Sequence, residues 1–183
     1  MIKKVLIGIL AALVIIAGLL TYLRSATKKH SPEATATYQN KGLDMVVKYC
    51  QPYKKNRIIF GDESTGALQP YGKYWRLGAN EATTFNTKTA ILVGDKTLPA
   101  GLYAMYAVPN EKTWTIAFNT ENDRWGATAP AIENDVLRVD VPTLTDLNTT
   151  EQFVINFESN DTTLNLTLNW DNVKVYLPIA PAK

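Results

Sequence analysis

The chain has 183 residues, a formal net charge of +2 and a pI near 8.5, with a single cysteine and a single histidine. That inventory excludes an internal disulfide and a Cys/His zinc site, and no cofactor is expected. The basic pI does not point to nucleic acid. Residues 1–30 carry five Lys and Arg and no acid, which leaves 14 basic against 17 acidic residues over 31–183. The larger part of the chain therefore lacks the electrostatic footprint of phosphate-backbone binding.

Val5 to Leu23 is an uncharged run of 19 residues, flanked by Lys3 and Lys4 before it and Arg24 after it. At about 1.5 Å per residue a helix of that length reaches roughly 28 Å, close to the ~30 Å hydrocarbon core of a bilayer. Residues 1–24 read as a membrane anchor and residues 5–23 as its contact with lipid. The run exceeds the ~7–15 apolar residues of a cleaved signal, and Thr21 to Ser25 offers no small-x-small site. Ala34-Thr35-Ala36 has the right form but lies well past the run, and it remains the alternative. Basic residues on both flanks weaken the positive-inside argument. A very short basic flank before an N-terminal apolar run still favours export, with one pass and the bulk of the chain outside the cytoplasm.

Residues 25–40 are Ser, Thr, Lys, Pro and Ala with little that is large and apolar, and they read as a flexible tether. Residues 41–183 then form one domain, long enough to bury a core without staples. Its dominant pattern has period two. Leu43, Met45, Val47 and Tyr49 alternate with polar or smaller neighbours, as do Trp114, Ile116 and Phe118, then Leu137, Val139 and Val141, then Phe153, Ile155 and Phe157. Gly94-Asp95 separates two short apolar runs as a hairpin turn. Leu102 to Val108 is apolar on both faces and suits a central strand. Leu164, Leu166, Leu168 and Trp170 share one face, and Asp171-Asn172 followed by Val173, Val175 and Leu177 predicts a hairpin over 163–178. Nine or ten short strands with frequent turns imply an all-β, antiparallel β-sandwich, jelly-roll-like. Gln51 to Glu81 and Thr120 to Asp135 fit no strand, and their aromatic content argues against disorder.

The irregular regions hold the most distinctive strings: Asn56-Arg-Ile-Ile-Phe-Gly61, Tyr71 to Thr83 and Arg124-Trp-Gly-Ala127. Within the second, Trp75-Arg76-Leu77-Gly78-Ala79-Asn80-Glu81-Ala82-Thr83 is the most specific. Together with Leu98 to Tyr103 and Trp114 to Asn119, and in that order, they resemble the bacterial family called domain of unknown function 2911 over residues 42–178. The resemblance implies an exported, β-rich protein of the cell envelope and no established activity. Gln51 departs from the basic residue common in that family before the proline here numbered Pro52.

On their own chemistry, Arg76 and Glu81 could form a charge-assisted pair oriented by Asn80. One reading makes that pair a brace for a loop plugged by Trp75. The other makes Arg76, Asn80 and Glu81 the lining of a pocket with Trp75 as floor and Trp125 as far wall, suited to a sugar, a peptide or a small carboxylate. Arg57, Tyr71 and Arg124 complete the candidate ligand-binding set of Arg57, Tyr71, Trp75, Arg76, Asn80, Glu81, Arg124 and Trp125. Catalytic and metal residues are not expected, because His30 falls in the tether and no second histidine exists. Carboxylate chemistry survives only as Glu81 with Asp62, Glu63 or Asp123. The sequence thus favours a membrane-tethered, extracytoplasmic, non-catalytic module that binds a ligand or partner in the envelope. A purely structural module and a glycosidase-like hydrolase are the alternatives.

Overall fold

A computed structural model describes residues 2–182. Helix α1, Ile2–Thr27, contains a span long and apolar enough to cross a membrane, and none of that span is buried against the rest of the chain. Everything after it is mostly antiparallel β structure. The strands are β1 (Glu33–Asn40), β2 (Leu43–Cys50), β3 (Phe60–Gly61), β4 (Gln69–Pro70), β5 (Thr84–Thr87) and β6 (Ile91–Val93). They continue as β7 (Lys96–Leu98), β8 (Gly101–Val108), β9 (Thr113–Asn119), β10 (Asp135–Ser159) and β11 (Leu164–Pro181). Nine of them hydrogen-bond in the order β1-β2-β5-β8-β9-β10-β11-β6-β7, while β3 and β4 form a small parallel pair.

One long strand joins the two halves of the sheet. Up to Pro142, β10 pairs with β9; from Thr143 onward it pairs with β11. Pro142 has no N–H to donate, which suits the residue where the strand leaves one partner for the other. The buried side chains of both halves form one core, from Met45 and Val47 on β2 to Leu166 and Leu168 on β11. Strand β8 is buried on both faces from Tyr103 to Ala107, as its doubly apolar sequence predicts.

Two expectations are corrected. The predicted tether is a strand over Glu33–Asn40, paired residue by residue with β2 and turned through Lys41 and Gly42, both at positive φ. An edge strand is held by its backbone hydrogen bonds and needs little apolar surface; here only Ala36 is buried. Only residues 28–32 separate the helix from the sheet. The predicted hairpin at Asp171 is instead a continuous strand. Asp171 sits at φ 57, where the register with β10 shifts, and it is ion-paired to Lys54. The left-handed turn at Asp171 moves the buried positions of β11 from even numbers (Leu164 to Trp170) to odd ones (Val175 to Ile179), so both stretches face the core, while the extra residues of the bulge lie on β10 between Thr145 and Val154. The chain reversal comes earlier, at Asn160, whose side-chain carbonyl accepts the N–H groups of Thr162 and Thr163.

Candidate functional site

The Trp75 to Thr83 string is a loop laid over β8. Trp75 and Ala107 exchange both backbone hydrogen bonds at 2.8 Å, and Met105 donates to the Thr83 carbonyl at 2.7 Å. Between those anchors the loop closes on itself: the Trp75 indole donates to the Gly78 carbonyl at 3.2 Å and the Thr83 hydroxyl to the Leu77 carbonyl at 2.7 Å. Leu77, Gly78 and Asn80 all take positive φ (53, 146 and 62). Gly78 is required on space as well, since a Cβ there would lie 2.6 Å from the Cys50 carbonyl oxygen. Below the loop, Trp75 stacks on Trp170 at 5.7 Å and meets Phe60, Trp114 and Phe153 at 5.5, 5.5 and 4.9 Å between ring centroids.

This twisted backbone sends Arg76 and Glu81 to different places, and the expected pair between them does not form. Arg76 donates to the Asn80 carbonyl at 2.9 Å and makes no ion pair among the described residues. Glu81 lies 3.3 Å from the Lys28 ammonium and accepts from the Cys50 thiol at 3.7 Å. Gly126 fixes the arginine stem, because a Cβ at 126 would fall 2.7 Å from Arg76 Cδ.

A cleft of about 410 Å³ opens on the Arg76 side. It is lined by the polar side chains of His30, Lys55, Arg57, Arg76 and Asn80, by Tyr53 and Tyr74, and by the buried Trp75 and Trp170. No carboxylate lines it among the described residues. Burial lowers the Arg76 pKa, since desolvation penalises the cation, yet arginine stays charged at any physiological pH. Arg57 folds over its own turn and donates to the carbonyls of Tyr53 and Lys54. Asn80 is buried, and its amide reaches the Ser31 carbonyl at 3.4 Å, tying the loop to the segment that leaves the helix.

A second cleft, about 420 Å³, lies on the Glu81 side with Glu33, Asp123, Lys48 and Arg124 around Cys50. Burial pushes the Cys50 thiol up, which disfavours the thiolate. Arg124 organises its own loop, donating to Thr128 and Ala129. Asp62 and Glu63 line neither cleft.

The eight sequence candidates therefore divide. Arg57, Trp75, Arg76 and Asn80 line the first cleft, Glu81 and Arg124 the second, and Tyr71 and Trp125 line neither. Trp125 is not a far wall; the Arg24 guanidinium sits 5.2 Å above its ring, pinning the helix end to the domain. His30, Lys55, Tyr53 and Tyr74 escaped sequence reasoning. His30 falls in the stretch whose composition reads as a tether, and the weak alternation of Ala34, Ala36 and Tyr38 is the signal that shortens that tether.

Residues 31–179 match the family described as protein of unknown function (DUF2911). The chain belongs to this family. No curated protein and no solved structure matches it. The DUF2911 match begins at Ser31, so it takes in β1, the motif loop and the lining of both clefts except His30.

The tyrosines give this DUF2911 domain a stability limit at high pH. Desolvation is the first cause raising Tyr49, Tyr71, Tyr74, Tyr103 and Tyr106, and at Tyr106 the Asp135 carboxylate adds to it. A phenol raised on folding stays protonated in the native state while the unfolded chain ionises. Its contribution is intact below the unfolded value of about 10 and is lost as pH rises through the folded value. Unfolding free energy should accordingly fall from about pH 10 upward, with phenolate absorbance appearing late in the native protein and early in denaturant. A native titration that coincides with the denatured one would refute this.

Proposed function

We propose that this chain is a single-pass membrane protein of the cell envelope whose extracytoplasmic β domain binds a small anionic molecule in the first cleft, without catalysis. The observation that carries the reading is Arg76: a half-buried guanidinium, held by one backbone carbonyl, in a cleft lined by further basic groups and, among the described residues, no acid. A cation partly removed from water without a counter-charge is stabilised by any ligand that brings one, and the planar fork of arginine suits carboxylate or phosphate. Tyr53 and Tyr74 supply surface for an apolar or sugar-like remainder. Retention of the anchor is supported by β1. Cleavage after Ala36 would remove half of a strand that pairs with β2 from Glu33 to Asn40.

The test is calorimetric titration of the full-length protein in neutral detergent with a panel of small anions: an acidic sugar, an N-acetylated amino acid and a sugar phosphate. At least one should bind, more weakly as salt rises, and Arg76→Gln should weaken it about 10-fold or more, as expected for losing a hydrogen bond to a charged group worth ~1.5–3 kcal/mol. Binding that Arg76→Gln leaves unchanged, or no binding by any member, overturns the reading and favours a structural module.

A further inference from the structure

With α1 spanning the bilayer, as proposed above, the first cleft stands close to the membrane surface, and that placement narrows its ligand. The apolar run ends at Leu23 and α1 continues to Thr27, four residues further. At ~1.5 Å per residue those four residues add about 6 Å, comparable to the ~5–8 Å of one headgroup layer. The cleft wall begins there. His30 and Ser31 line it, and their backbone N–H groups donate to the carbonyl of Thr27, the last helical residue, at 3.0 and 3.2 Å. The domain does not swing on a free linker. Lys28 bridges Glu33 at 2.5 Å and Glu81 at 3.3 Å, Arg24 covers Trp125, and Asn80 holds the Ser31 carbonyl. With the anchor in a bilayer, a cleft with His30, Lys55, Arg57 and Arg76 and no carboxylate among the described residues is thereby held beside a layer dense in phosphodiesters.

We propose that the cleft seats the phosphate of an anionic lipid headgroup from the surrounding leaflet. This rests on the anion-binding reading above and on the anchor being retained. The chemistry it shares with a free phosphate ester in solution is Arg76 and Arg57 closing on phosphate oxygens, with the glycerol part against Tyr53 and Tyr74. The lipid has the advantage of proximity: confined to the same surface as the anchor, it meets the cleft at an effective concentration no dilute solute matches. The exposed Lys29 outside the cleft belongs to the general basic fringe, which attracts anionic lipid without seating it.

The experiment uses the full chain in nanodiscs of phosphatidylcholine alone or doped with phosphatidylglycerol, reading lipids retained on the protein after mild extraction by native mass spectrometry. Wild type should retain phosphatidylglycerol over phosphatidylcholine about 10-fold beyond the input ratio. Arg76→Gln and Arg57→Gln should each lose most of that preference while Lys29→Gln keeps it. Arg57 bonds only backbone carbonyls of its own turn, so its replacement tests the idea even where Arg76→Gln folds poorly. A parallel arm titrates glycerol phosphate and inorganic phosphate against protein in phosphatidylcholine discs. Binding in that arm without a phosphatidylglycerol preference overturns the lipid proposal and leaves the anion reading standing. Loss of the preference by Lys29→Gln to the same degree overturns it too, as fringe attraction. Failure of both arms sinks this proposal and the phosphate side of the anion reading together.

Discussion

Trp75→Ala should cost about 3–5 kcal/mol of unfolding free energy, a large part of the ~5–15 kcal/mol that holds a domain folded. The indole is 2 % exposed and touches four other aromatic rings, so truncation leaves a cavity walled by groups that cannot all move in. It also removes the donor to the Gly78 carbonyl, one of three side-chain hydrogen bonds that close the motif loop. Loss of stability and loss of anion affinity should therefore travel together, because Arg76 projects from that loop. Trp75→Phe keeps an aromatic plug and should recover most of the stability. Trp125→Ala, which removes only a cover under Arg24, should cost about 0.5–1 kcal/mol. Chemical denaturation monitored by circular dichroism distinguishes these cases. A Trp75→Ala protein within ~1 kcal/mol of wild type would show that the indole is a replaceable lid and not the plug of the core.

The strands could be read from the sequence because burial on one face imposes period two, and Leu164 to Trp170 shows it without a break. What happens at Asp171 could not be read the same way. A polar pair followed by a change of parity is equally the mark of a turn and of a bulge, and only the length of the partner strand, Asp135–Ser159, decides between them. Strand β1 was hidden for the opposite reason: it is secured by backbone pairing at a sheet edge, which leaves almost no trace in side-chain hydrophobicity.

The motif loop was recognisable as a special string, yet the direction of its side chains was not. Positive φ at Leu77, Gly78 and Asn80 turns the chain repeatedly within four residues, so the intuition that Arg76 and Glu81 face each other across a loop fails. Arg76 turns back on the Asn80 carbonyl of its own loop, and Glu81 finds partners remote in sequence. Glu81 meets Lys28 at the helix exit, and Trp125 meets Arg24, about a hundred residues earlier in the chain. Such contacts follow from how the sheet brings the ends of loops together, and no local pattern encodes them.

The other large effect is expected at Asp135, away from both clefts. Its side chain is 4 % exposed, and it accepts from the Tyr106 hydroxyl at 2.6 Å, Arg138 at 2.7 Å and the Asn119 amide at 2.8 Å. Arg138 also donates to the Tyr106 hydroxyl at 2.8 Å, so three strands, β8, β9 and β10, meet in one polar knot. Asp135→Ala removes the shared acceptor and leaves the Tyr106 and Asn119 donors, both buried, with little access to water. The loss should be about 3 kcal/mol, the low end of the range for removing one partner of a buried ion pair, because the surviving Arg138 is partly solvated. Arg138→Ala should cost less, because that side chain is 35 % exposed and Asp135 keeps two donors. Asp135→Asn retains an acceptor oxygen of the same shape but not the charge and should fall between the two. Denaturant unfolding of the three variants tests this order. If Arg138→Ala proves as damaging as Asp135→Ala, the ion pair itself is the dominant element. If Asp135→Asn is indistinguishable from wild type, charge contributes nothing and the knot is an ordinary hydrogen-bond network.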